Sequence, residues 1–153
     1  MNVQRIDLQL LPDAGGHLSV EQRRDIPFDI DRVMLVYGVP EGATKNGHAY
    51  AHTHQLLIAV NGQIDVTLDD GQERSTVVLD SPHQGLHLPP GIWSQLCAFS
   101  SGTVCLVLLS APNDDGDLIS DYKVYMTARN GSTKPGTAVG QTETPSGQAG
   151  VPS

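Results

Sequence analysis

His48, Tyr50, His52 and His54 stand at alternate positions in the segment GHAYAHTHQ. Side chains of an extended strand alternate between its two faces, so a regular pleat would put these four on one face and the small Ala49, Ala51 and Thr53 on the other. Imidazole has its ordinary pKa nearest neutrality and can both take and return a proton, while a phenol can donate one. A face so equipped suits proton transfer. Tyr37, closing the apolar run RVMLVYG just upstream, reads either as a further catalytic hydroxyl or as a structural tyrosine. His54 and Gln55 read as hydrogen-bonding supports, Trp93 after PPGI as a ring packed over the mouth of a barrel, and His17 and His83, in polar turns, as surface residues.

The bulk of the chain bounds what such a site can serve. At 153 residues it is most simply one domain with one core. Seventeen acidic against nine basic residues leave a net charge of −8, which argues against a general nucleic-acid or anionic-membrane surface, since these must be locally basic. One basic pocket for one phosphorylated ligand remains compatible with that balance. The N-terminus MNVQRIDLQLLPDAGG has no apolar signal-like run and no long apolar segment follows, so the expected location is the cytoplasm, without a membrane span. Cys97 and Cys105 lie in apolar runs that read as neighbouring strands, and buried free thiols are expected there.

The elements that must position the site read as strands. RIDLQLL at 4–10 and HLSVEQ are extended; the proline of IPF at 26–28 keeps that stretch out of a central ladder. QLLIAVNGQIDVTLDDGQ predicts a hairpin about Asn61-Gly62, and a second turn falls at Asp69-Asp70-Gly71. STVVLD, GLHLPP, SQLCAFS and TVCLVLLS supply further short strands, and SDYKVYM at 120–126 predicts a short strand or a helical turn. Many short strands without an amphipathic helix indicate an all-β sandwich or barrel. From Asn130 the composition turns to Gly, Pro, Ser and Thr, so the expected organisation is a folded domain over 1–129 and a disordered tail over 130–153.

Metal-binding cupin barrels place three imidazoles and a carboxylate in a pattern of the form G-x5-H-x-H-x3/4-E-x6-G, with a later histidine after P-x-G. The present frame offers His48, Tyr50, Gln55 and Ser94 at those four positions. Gln, neutral Tyr and Ser are poor ligands, so no metal is expected. A rival set of His48, His52 and His54 would converge on one ion only if the strand bulged.

Four stretches, DIPFDIDRVMLVYGVPEG, GHAYAHTHQLLIAVNGQIDVTLDDG, GLHLPPGIW and FSSGTVCLVLLS, with DLISDY behind them, resemble the nucleotide-sugar 3,4-ketoisomerases, or WxcM-like cupins. The resemblance runs in order over residues 13–126. It implies a cupin-type antiparallel β-barrel, a homodimer that exchanges N-terminal strands, no cofactor, and isomerisation of a TDP-linked 4-keto-6-deoxyhexose to its 3-keto isomer. Moving a carbonyl from C4 to C3 removes the C3 proton, passes through an enediol and returns a proton to C4, which needs a base and an acid near neutral pKa. In the family an H-A-H pair supplies them; here His48 is the first member and Tyr50 replaces the second. An ordinary phenol, with a pKa near 10, is about a thousandfold less ionised than imidazole at neutral pH, a handicap of about 4 kcal/mol for a resting base.

The resemblance places Tyr37 close to the catalytic pair. It also puts His87 where the family usually has an aromatic, so that Tyr50 and His87 could have exchanged sides of one cavity. Lys45, His54, Gln55, Trp93 and Arg32 are the expected substrate contacts. Lys45-Asn46 stands where the family commonly has Arg-Gly, Gly16 near a usual arginine, and Ser120 where an arginine often precedes DY, so the pyrophosphate contacts are thinned. The alternative reading is a catalytically degenerate cupin that binds a sugar nucleotide as an accessory or regulatory module.

Overall fold

The structure, a computed structural model, describes residues 1–13, 16–20, 25–112 and 116–133. Its main antiparallel sheet has the order β1 (Gln4–Asp7), β9 (Gln84–Leu88), β6 (Gln55–Asn61), β11 (Val104–Leu109) and β4 (Arg32–Val36). A second sheet contains β10 (Trp93–Cys97), β7 (Ile64–Asp69) and β8 (Arg74–Leu79). Two smaller pairs join β2 (Gln9–Asp13) to β3 (Gly16–Val20) and β5 (Ala49–Tyr50) to β12 (Leu118–Ile119). All the strands lie in a unit spanning Met1–Tyr122; a second unit starts at Lys123.

The two main sheets face each other across one core, and the alternation of each strand decides what enters it. Ile64, Val66 and Leu68 of β7 meet Leu57 and Ala59 of β6, Leu86 and Leu88 of β9, and Cys105, Val107 and Leu109 of β11. Burying each such aliphatic side chain contributes about 1.5–3 kcal/mol. The opposite residues of β6 and β11, Leu56, Ile58 and Leu108, are buried too, beneath Leu8 and Ile26. Burial on both faces explains why β6 reads as an unbroken apolar run where β7 alternates.

The expected hairpin at Asn61-Gly62 does not form. β6 pairs with β9 and β11, whereas β7 pairs with β8 and β10, so the chain crosses between sheets at that corner. Gly62 holds φ +80° there, and Gln63 N–H donates to Ser100 Oγ at 2.8 Å, which anchors the corner to the loop before β11. The turn at Asp69-Asp70-Gly71 does join a hairpin, β7 to β8, with Gly71 N–H donating to Asp69 Oδ1 at 2.7 Å. Strands that switch sheets at successive corners give a jelly-roll path, so the all-β expectation is met with a different connectivity at one turn.

Cys97 and Cys105 are free thiols, on β10 and β11 of different sheets and not on neighbouring strands. The segment at 120–126 is neither strand nor single turn: helix α1 runs Tyr122–Thr133 and takes in the first four residues of the expected tail. The rest of that tail, 134–153, lies outside the described residues.

Candidate active site

β5 is only two residues long, yet it fixes the positions of His48 and Tyr50. His48 precedes it and forms an antiparallel bridge with Ser94, His48 N–H to Ser94 carbonyl at 3.0 Å and Ser94 N–H to His48 carbonyl at 2.9 Å. Gly91, at φ +88° in the PPG turn, donates its N–H to the Tyr50 carbonyl at 2.8 Å. Thus the GHAY and PPGIWS segments clamp one another. Tyr50 packs among the core residues between the sheets, and the His48 ring meets it edge-on, with centroids 5.3 Å apart and planes at 79°. Arg32, on the inward face of β4 with Met34 and Val36, donates from Nη2 to Tyr50 Oη at 3.2 Å and sits over its ring at 5.9 Å. Gln55 is buried at the start of β6 and shares the inward parity of Leu57 and Ala59.

Burial lowers the His48 pKa below its ordinary 6.5, and a hydrogen bond with the Asn46 backbone opposes this only in part. The imidazole is therefore neutral at neutral pH. One ring N–H is tied to the backbone and the other nitrogen is left as an acceptor, the state a general base needs.

The pleat that would have aligned four side chains breaks after Tyr50. Ala51 N–H donates to the Asp117 carbonyl at 2.9 Å, His52 N–H to Asp117 Oδ1 at 2.6 Å, and the Thr53 hydroxyl to Asp117 Oδ2. Burial alone would raise the Asp117 carboxyl, but the bonds from Thr53 and His52 outweigh it and hold the pKa below the ordinary value. His52 consequently projects outward, its side chain 88% exposed, with Nδ1 3.0 Å from Asp117 Oδ1. His54 turns to the opposite face of the main sheet. There it stacks on His87, with centroids 5.2 Å apart and Nδ1 to Nε2 2.9 Å, under Phe28.

Three expectations change accordingly. His87 is not across a cavity from Tyr50: Leu86 and Leu88 take the inward positions of β9, and His87, between them, faces out beside His54. Tyr37 continues the outward parity of Val33 and Leu35 and is 72% exposed, so it does not join His48. Trp93 stands on the outer side of β10, its indole over Gly47, where an added Cβ would come within 2.6 Å of Nε1. Lys45 is exposed in the preceding loop, with its N–H on the Leu96 carbonyl at 2.9 Å. The rival trio His48, His52 and His54 is dispersed to three places. Among the described residues no group of three His, Cys, Asp or Glu gathers to hold a metal ion.

Two polar clusters join residues that lie too far apart in the chain for local patterning to connect them. Asp117 is one; its signal was an acidic residue in DLISDY that could tie that stretch to the histidine strand. The other lines a cleft of about 590 Å³ on the outer face of the second sheet. There Tyr122 donates to Asp69 Oδ2 at 2.5 Å, Arg74 bonds Asp69 at 3.0 Å and Tyr122 at 2.8 Å, and Trp93 packs edge-on against Tyr122 at 5.2 Å. This network fastens the chain after β12 to β7 and β10.

The sequence model of the family described as FdtA, WxcM-like, C-terminal matches residues 1–130. The chain belongs to that family. Among curated proteins this WxcM-like chain is similar to the TDP-4-oxo-6-deoxy-alpha-D-glucose-3,4-oxoisomerase of Aneurinibacillus thermoaerophilus, at 33% identity over 114 residues, 74% of this chain and 82% of that protein. Among solved structures it is similar to QdtA, a sugar 3,4-ketoisomerase from Thermoanaerobacterium thermosaccharolyticum in complex with TDP. The TM-score is 0.82 and the identity 34%, covering 87% of this chain and 98% of that one. A single-site mutant of QdtA, in complex with TDP-4-keto-6-deoxyglucose, matches with TM-score 0.80 and 34% identity over 84% of this chain and 94% of that one.

Proposed function

We propose that the chain is a sugar 3,4-ketoisomerase that acts on a TDP-4-keto-6-deoxyhexose by metal-free enediol proton transfer. The observation that carries this reading is the inward pairing of a neutral His48 with Tyr50 and Arg32 between the sheets of a WxcM-like fold. The substrate class comes from the relatives, one named for TDP-4-oxo-6-deoxyglucose and one bound to TDP-4-keto-6-deoxyglucose. His48 removes the C3 proton, Tyr50 serves as a hydroxyl donor to the oxygens of the enediol, and Gln55 supports from the interior. Lys45, three residues before His48, supplies an exposed cation for the diphosphate.

We further propose that the enzyme is a cytoplasmic homodimer. β4 pairs with β11 on one side, is the last strand of its sheet among the described residues, and presents Val33 and Leu35, each 58% exposed, with Tyr37. A second copy covering this outward face of β4 buries an apolar stripe that an isolated subunit leaves in water. No helix among the described residues is long and apolar enough to cross a membrane.

The replacement of the second family histidine by Tyr50 favours a second reading, a degenerate cupin that binds the nucleotide sugar without turning it over. Incubation with TDP-4-keto-6-deoxyglucose, with and without a strong chelator, separates the two. Formation of the 3-keto isomer, unchanged by the chelator, is the expected result. Stoichiometric tightly bound metal whose removal stops the reaction would overturn the metal-free mechanism, and tight binding without product would establish the accessory module.

A further inference from the structure

Trp93 reaches His48 from outside the sheets. On β10, Ser94 pairs with Leu68 and Trp93 with Asp69; Leu68 points into the core, so Ser94 faces inward and Trp93 outward. Ser94 exchanges two backbone hydrogen bonds with His48, at 3.0 and 2.9 Å, and the indole beside it covers Gly47. An added Cβ at Gly47 would lie 2.6 Å from Nε1 and 2.8 Å from Cε2 and Cζ2. Gly47 is not among the glycines with positive φ, so the indole, rather than the backbone conformation, demands glycine there.

Gly47 shares a peptide group with Asn46. The Asn46 backbone bonds the His48 ring in a way that favours the protonated imidazole, so the ring N–H donates and the Asn46 carbonyl accepts. That carbonyl is coplanar with the Gly47 N–H, and a rotation at Gly47 carries the acceptor with it. Glycine resists such a rotation least of all residues. β10 anchors the chain on both sides of this peptide: Lys45 N–H donates to the Leu96 carbonyl at 2.9 Å and Gln95 Nε2 to the Lys45 carbonyl at 3.0 Å, with the Ser94 bridge at His48 beyond. Between the anchors only the indole bears on Gly47 in the space a side chain would fill. The indole is braced in turn, edge-on against Tyr122 with planes at 78°, and Tyr122 is bonded to Asp69 and Arg74.

We infer that Trp93 is a positioning residue for the isomerisation: its indole fixes the Asn46–Gly47 peptide and, through that carbonyl, the orientation of the His48 ring. This rests on the isomerase reading and gives Trp93 a role without contact with the substrate. A reacting group misplaced by about 1 Å can lose about a hundredfold in rate, so the effect falls on the chemical step.

The test compares full-length wild type with Gly47→Ala, Trp93→Leu and the double variant on TDP-4-keto-6-deoxyglucose. Each single change should lower kcat about tenfold or more and leave KM within about twofold. The double variant should be no slower than Trp93→Leu, because the added methyl no longer meets an indole. Losses that multiply, or a Gly47→Ala enzyme as fast as wild type, would overturn the proposal. A raised KM with unchanged kcat in Trp93→Leu would overturn it too, by making Trp93 a substrate contact. If Trp93→Leu does not fold, Trp93→Phe, whose single ring is smaller, takes its place in the same cycle. NMR supplies a readout that needs no turnover. The His48 ring N–H signal, assigned by its absence in His48→Asn, should exchange slowly with solvent in wild type and faster in both single variants; equal protection in all three refutes the positioning role. A wild-type protein that forms no isomer refutes the isomerase reading itself, an outcome distinct from an active enzyme indifferent to Gly47 and Trp93.

Discussion

By the resemblance read from the sequence, Tyr50 stands where an imidazole is expected; in the structure its neighbours are His48, held neutral by burial, and Arg32, bonded to the phenol oxygen. A general base acts unprotonated, so under the proposed mechanism a lowered His48 pKa extends activity toward acid. The acid limb of kcat/KM should therefore have its midpoint below the ordinary 6.5; a midpoint above that value, measured with the free enzyme's substrate at low concentration, would contradict a buried neutral base. The pair His48 and Tyr50 was legible in the sequence because i, i+2 parity is local. Tyr37 and His87 were not. Which face a lone residue takes depends on register with distant strands, and a one-residue difference moves it from core to exterior. For His87 the deciding neighbours are Leu86 and Leu88, which carry more apolar surface into the core than an imidazole can.

Among the elements, β5 shows why periodicity misleads over short stretches. It ends after Tyr50 because Asp117 captures the next three residues, and that captor lies more than sixty positions away in the chain. Asp117→Ala would leave the buried Thr53 hydroxyl and the His52 amide without their acceptor, at about 1–3 kcal/mol for each group. Thermal unfolding should show a clear loss of stability, and a melting temperature within a degree of wild type would show that the clamp contributes nothing. The stacked imidazoles under Phe28 give β9 a pH dependence. Burial first, then the nearby His54, lower the His87 pKa, so the folded state prefers the neutral ring. Its contribution is complete above the unfolded value of 6.5 and is lost as pH falls through the folded pKa. His87→Phe should flatten the fall in melting temperature between about pH 7 and about pH 5; an equally steep fall would place the titration elsewhere. The Asn61-Gly62 corner makes the same point in reverse. Its residues signal a tight turn correctly, but whether the following strand pairs back or crosses to the other sheet is decided by β9 and β11, which the turn itself does not encode.

For the whole molecule, composition and strand spacing sufficed to give an all-β fold, and the four resembling stretches sufficed for the family, because both are carried by many residues at once. The helix α1 was underestimated although Asp121 directly before it is a favoured N-cap residue, because YKVYMTARNGST has a weak apolar stripe and ends in Asn, Gly, Ser and Thr, which favour turns. The exposed outward face of β4 supplies the assembly prediction. Leu35→Lys, on the outward face away from His48, should convert a dimer to a monomer in sedimentation analysis. A wild-type protein that sediments as a monomer, or a variant that stays dimeric, would place the interface elsewhere. The most direct test of the account is proton exchange at C3. Wild type and His48→Asn are each incubated with TDP-4-keto-6-deoxyglucose in deuterated water and the C3 proton is followed by NMR. The account predicts loss of that signal with wild type and its persistence with His48→Asn. A C3 proton that survives with wild type while the nucleotide sugar is bound, or that exchanges equally fast without His48, would contradict it.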